Sequence, residues 1–179
     1  LIKKIDTPYY IILGSDDYFY FDALQTYSDI ITNNEYDLVT FPVDTDIGKF
    51  SPKKNQLRHG QLAHISQHSV GVLIKKDLHD RVGYYDQNYF IGADALFILS
   101  AINIGARVYS GNKTIGYYSL DGLSSTNTFH AFFEFNKIQL LTYRSFNLIF
   151  FLFVFKVFVN YWALRKENKK YFNKLKIKK

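Results

Sequence analysis

Tyr9-Tyr10-Ile11-Ile12-Leu13-Gly14-Ser15-Asp16-Asp17-Tyr18-Phe19-Tyr20-Phe21-Asp22-Ala23-Leu24 is the stretch from which the rest of the chain can be read. Its first five residues are aromatic or aliphatic and stop at Gly14, the profile of a buried strand. Its second half opens a helical pattern, with Phe21, Leu24, Tyr27, Ile30 and Ile31 recurring on one face until Asn33-Asn34. Two adjacent carboxylates stand between strand and helix, where α/β folds bind ligands. Asp16 and Asp17 repel each other, and a hard divalent ion such as Mg²⁺ or Mn²⁺ would relieve that repulsion. The competing reading is a helix start, with Asp16 as cap and Asp17 at the positive end of the dipole.

Outward from this stretch, strands and helices alternate. Residues 36–43 read as a second buried strand, ended by Pro42 and followed by a long polar stretch over 44–61. Residues 70–74 read as a third strand, 76–82 as a short helix closed by Gly83, and 93–104 as a helix capped by Gly105. Short strands are expected at 107–109 and 114–118, then a Gly/Ser-rich loop over 121–128, then helix from Thr128 onward. The alternation predicts an α/β sandwich.

Composition narrows the chemistry. With no Cys among 179 residues, a disulfide framework, a Cys-ligated zinc and a thiol nucleophile are excluded. The five His are scattered, which disfavours a His-built zinc site. No Met is present and the start lacks the layout of a signal peptide, so the sequence reads as a piece of a longer protein. The net charge of +6 is uneven: residues 165–179 hold eight basic residues against Glu167, leaving 14 basic and 15 acidic in 1–164. A neutral body argues against a nucleic-acid groove. Asp44-Thr45-Asp46 has the shape of a phosphohydrolase nucleophile motif, but Pro42 in the preceding strand counts against it. No Gly-rich phosphate loop and no nucleophile elbow occurs.

The segment Tyr10 to Leu24 resembles the acidic-motif region of family 2 glycosyltransferases, which have the GT-A fold. The resemblance implies a metal-dependent enzyme that moves a sugar, of hexosyltransferase type, from a nucleotide-diphosphate donor. Asp17 takes the family's metal-ligand position and Asp16 its nucleotide position, with Ser15 where the family's first acid stands. A second block, Val72 to Asp86 followed by Tyr89 to Asp94, is similar to the acceptor side of the family. There a basic pair (Lys75-Lys76) precedes a helix and an acid opens the next one, which makes Asp94 the implied catalytic base. A carboxylate in that role would deprotonate the acceptor hydroxyl as it attacks the anomeric carbon with inversion. The family's acceptor-side His has His68 as its nearest counterpart, one residue upstream of the expected place, with His64 the other candidate. Tyr117 to Ser125 resembles a family loop whose Ser124 and Ser125 would contact the acceptor. A capping turn explains the same two serines equally well.

The expected fold is therefore a GT-A-like α/β/α sandwich with a mixed sheet, incomplete at the N-terminus, over 1–143, and a helical extension over 144–179. In this family the first strands hold the nucleotide base, so the chain by itself is expected to be inactive. The extension is aromatic from Phe146 to Leu164, but its longest uncharged apolar run, Leu148 to Phe155, is too short to span a bilayer. With the basic tail behind it, residues 146–179 suit a peripheral contact on the inner face of a cell membrane, in the cytoplasm. Packing against protein is the other use of such a helix. The acceptor implied is a saccharide or a lipid-linked one, in surface polysaccharide synthesis. A reading from another class is a non-catalytic, membrane-docked binding or scaffold module built on a degenerate glycosyltransferase fold.

Overall fold

A computed structural model describes residues 2–121, 127–143 and 147–159, together with Tyr161 and Arg165. In chain order the strands are β1 (Tyr9–Tyr10), β2 (Tyr18–Phe19), β3 (Leu38–Thr40), β4 (Val43–Thr45), β5 (Gly48–Phe50), β6 (Val72–Lys75), β7 (Val108–Ser110) and β8 (Gly116–Tyr117). The α-helices are α1 (Ala23–Asn33), α2 (Gln56–His59), α3 (Leu78–Val82), α4 (Ala93–Asn103) and α5 (Thr128–Thr142). Residues 147–159 are helical as well. Two four-stranded mixed sheets form, in the orders β1-β6-β3-β7 and β2-β8-β4-β5.

The first sheet is buried on both faces, which is why its strands are apolar without alternation. On β3 and β6, successive side chains point to opposite faces. Leu38 and Ile74 face α3 and α4 and pack with Tyr10, Leu78, Phe97 and Ile98. Val39 and Leu73 face the other way, toward Ala23 and Tyr27 of α1. The result is an α/β/α layering with a mixed sheet and a helical C-terminal part. Gly83 ends α3 at φ +100°, a conformation that favours glycine, and its N–H closes the helix on the His79 carbonyl.

The structure departs from the sequence-based expectations in three places. Helix α1 starts at Ala23 with Asp22 before it, so Asp16 and Asp17 do not cap it. Phe21 and Leu24 are exposed, and Ala23 and Tyr27 supply the buried face instead. The polar stretch after Pro42 is not one loop: β4 and β5 form a hairpin, and Ile115 N–H donates to the Pro42 carbonyl as β8 runs alongside β4. The C-terminal helix is broken at Tyr143, whose backbone is extended (φ −95°, ψ 138°).

Asp37 fastens the sheet to its neighbours. It is 7% exposed; Oδ1 accepts from Arg81 of α3 at 2.6 Å and Oδ2 from the Arg107 N–H beside β7 at 2.7 Å. Removing it strands both donors at the start of β3. Asp37→Ala should lower the unfolding free energy in urea by about 2–3 kcal/mol, and a loss near zero would mean that water replaces both bonds.

Candidate functional site

The Gly14–Asp17 turn is closed from within. Asp17 Oδ2 accepts the Gly14 N–H at 3.0 Å and the Ser69 hydroxyl, while Oδ1 accepts the Ser119 N–H at 2.9 Å. Three segments distant in sequence thus meet on one carboxylate. Gly14 is required by this approach, because a Cβ there would stand 2.6 Å from Asp17 Oδ2. Val70, next to Ser69, sits at φ +60°, strained for a β-branched residue. Two bonds hold it there: its N–H donates to the Ile12 carbonyl at 3.0 Å, and its carbonyl accepts the Tyr27 hydroxyl at 2.8 Å.

Asp16 and Ser15 behave differently. Both are exposed, and neither side chain has a partner among the described residues. Asp16 therefore offers a free carboxylate at the strand end. Among the described residues no group of three or more His, Asp or Glu gathers into a metal cage. The donor set still fits Mg²⁺ or Mn²⁺, which are commonly held by one or two carboxylates with phosphate oxygens and water completing the shell. Beside the turn, Tyr18 and Tyr117 stack with ring centroids 5.2 Å apart at 15°. Tyr18 is exposed and offers an aromatic face next to Asp16 and Asp17. The sequence reading missed this pair, since only the pairing of β2 with β8 brings the rings together.

Asp94 lies in the first turn of α4. The loop before it is held by Glu134 of α5, whose carboxylate accepts the N–H groups of Phe90 (3.0 Å), Ile91 (2.8 Å) and Gly92 (2.8 Å). Burial pushes the Glu134 carboxyl upward, but the three backbone donors and His130 outweigh it and hold it below the usual value. Glu134 thus fixes the loop that leads into α4 and Asp94. No local signal revealed it, because its targets lie more than forty positions earlier.

His68 lies in the segment before β6, next to the Asp17 junction. Its neighbour Ser69 bonds Asp17, while its own ring meets Tyr85 and lies within the electrostatic reach of Asp94. A chain of hydrogen bonds runs inward from it. His68 Nε2 is 3.0 Å from the Tyr85 hydroxyl, which is 2.8 Å from the Tyr10 hydroxyl, which is 2.6 Å from His79 Nε2; His79 Nδ1 is 3.0 Å from the Gly83 carbonyl. The carbonyl can only accept, so His79 Nδ1 carries the proton and Nε2 accepts from Tyr10. Tyr10 then accepts from Tyr85, and Tyr85 from His68 Nε2–H. Burial, foremost, lowers the pKa of both imidazoles and raises that of Tyr10 to about 12, which keeps the chain neutral. His68 is left with Nδ1 as an unused acceptor among the described residues. Ser124 and Ser125 lie outside the described residues.

The sequence matches no protein-family model and no curated protein. Solved structures do match. Residues 1–349 of Staphylococcus aureus TarS with UDP superpose at a TM-score of 0.57 and 13% identity, covering 79% of this chain and 42% of that one. The same protein with UDP-GlcNAc gives 0.57 at 14% identity over 83% of this chain and 47% of that one. Longer TarS gives 0.57 at 15% over 88% and 30%. The fold is glycosyltransferase-like. At these identities the likeness carries the fold alone, and the chain spans less than half the length of the proteins it matches.

The contrast between the two acids gives a direct test. Asp17→Ala should destabilise the protein by about 2 kcal/mol in urea unfolding, through three lost partners, whereas Asp16→Ala should leave stability unchanged. Equal losses would mean that the turn does not depend on the Asp17 bonds.

Proposed function

We propose that the protein is the acceptor-side and diphosphate-side part of a glycosyltransferase that moves a sugar, of hexosyl type, from a nucleotide-diphosphate donor to a saccharide or lipid-linked acceptor. The observation that carries this reading is the Asp17 junction, which gathers Gly14, Ser69 and Ser119 beside the free carboxylate of Asp16 within a glycosyltransferase-like fold. UDP and UDP-GlcNAc in the structural neighbours support a nucleotide-sugar donor.

In this reading Asp94 takes the proton of the acceptor hydroxyl. The oxygen forms its bond to the anomeric carbon from the face opposite the diphosphate, the bond from that carbon to the diphosphate oxygen breaks, and the configuration inverts. Mn²⁺ or Mg²⁺ at the Asp16-Asp17 turn would offset the charge on the departing diphosphate. Asp17, tied by three donors, fixes the turn and keeps lone pairs for the ion, while Asp16 presents its free carboxylate to the ion and nucleotide. Ser15 adds a hydroxyl at the same edge. The stacked Tyr18 and Tyr117 would receive a ring of the donor. His68, neutral, accepts from an acceptor hydroxyl through Nδ1, and Ser124 and Ser125 are assigned to the acceptor from the sequence pattern.

Among the described residues no helix is long and apolar enough to cross a membrane. The aromatic, basic segment 146–179 suits peripheral contact with the inner face of a cell membrane, where a lipid-linked acceptor for surface polysaccharide would be met. The test uses the full-length enzyme. Asp94→Asn should lower kcat for sugar transfer by about 10²–10⁴-fold while leaving donor KM nearly unchanged. Wild-type turnover in the variant would remove Asp94 from the role of base.

A further inference from the structure

Residues 147–159 pack against α5 with their polarity inverted. The inward positions include Ile149, 1% exposed, and Phe153, which meets the rings of Phe132 and Phe133. Beyond Asn147 at its start, the outward positions are apolar: Leu148, Phe150, Phe151, Val154, Phe155, Phe158 and Val159, with Phe151 71% and Phe158 80% exposed. The single charged residue of the stretch, Lys156, turns inward and donates to Asn136 Oδ1 and Gln139 Oε1, both at 3.2 Å. A surface helix in water presents the opposite arrangement.

Lys156 also lines a cavity of about 210 Å³, bounded by Arg58, Gln61, Asn136 and Gln139. Cationic groups reach this cavity from two elements, Arg58 of α2 and Lys156 of the C-terminal helix. The Arg58 side chain is exposed and has no hydrogen bond or ion pair among the described residues. Burial, then the Arg58 charge, lowers the Lys156 pKa; His59 on the same wall is lowered by burial and then by Lys53, Arg58 and Lys156. The Gln61 side-chain oxygen is buried with no partner among the described residues, and turning its amide by half a rotation presents N–H₂ instead.

We propose that this cavity binds the phosphate group of an anionic membrane lipid, with Arg58 and Lys156 as its counter-ions and the outer face of 147–159 set in the acyl boundary. The proposal deepens the membrane contact proposed above and rests on it. Guanidinium and ammonium groups suit a phosphate. The lipid source follows from continuity: the helix that contributes Lys156 also carries the uncovered apolar face. The basic sequence directly after it favours an anionic surface and disfavours a second copy, which would bring an equal positive charge.

Vesicle co-flotation of the full chain tests this, using phosphatidylcholine doped with either phosphatidic acid or oleate to equal surface charge. The wild type should prefer phosphatidic acid roughly tenfold. Arg58→Gln should abolish that preference with unchanged circular dichroism, whereas Lys176→Gln should weaken both partitions alike and keep it. No preference in the wild type, or one that survives Arg58→Gln, overturns the site while leaving membrane docking in place. Failure to float with any vesicle, which Phe155→Ser/Phe158→Ser should cause, would instead overturn the docking itself when seen in the wild type. Thermal stabilisation by inorganic phosphate that needs Arg58, without vesicle binding, would make the anion a soluble one and overturn the lipid source.

Discussion

The Asp17 carboxylate joins three pieces of chain that are far apart in sequence: the turn after β1, Ser69 before β6 and Ser119 after β8. Much of the site's geometry follows from that junction. Gly14 must lack a side chain to admit the carboxylate, and Ser69 must point its hydroxyl back toward the turn. Val70 is carried into a left-handed conformation in the same stretch, and two hydrogen bonds hold it there. An internally satisfied carboxylate stands beside an unpartnered one, which is the arrangement the proposed cation site uses. In that proposal Asp17 rigidifies the turn with three of its acceptor positions and Asp16 offers its whole carboxylate to a ligand.

The second half of the site has its own support. Glu134 reaches from α5 to gather three backbone N–H groups ahead of Asp94, so the start of α4 is positioned from outside the helix. The Tyr10–Tyr85–His68 connections join that side to the buried sheet. Because the chain of bonds ends at a carbonyl, each proton in it has one direction. The Asp17 junction and the buried hydrogen-bond chain thus share a scaffold in β1, β6 and the His68-Ser69 step.

Legibility in the sequence followed element length. Strands β3 and β6 and helices α3 and α4 announced themselves through apolar runs and through Gly83 and Gly105 at the helix ends. Strand β8 fell within the short strand expected at 114–118, but β2 is two residues, too short to carry any period, and β4–β5 hid in a stretch whose polar composition reads as loop. Phe21 and Leu24 misled because helical spacing says which residues share a face, not whether that face is covered. The acidic positions were visible as residues, but the difference between Asp16 and Asp17 was not. That difference is made by Ser69 and Ser119, whose proximity only the fold supplies. Glu134 and the Tyr18–Tyr117 stack were hidden for the same reason.

In the proposed function the turn at Gly14 to Asp17 takes a divalent ion together with a nucleoside diphosphate. Paramagnetic broadening by Mn²⁺ in the amide NMR spectrum of the full-length protein tests it most directly. In the presence of UDP, the signals of Gly14 to Tyr18 and Ser119 should broaden first, and Asp16→Ala should abolish the effect without changing the fold. Broadening centred elsewhere, or unchanged in Asp16→Ala, would contradict the account.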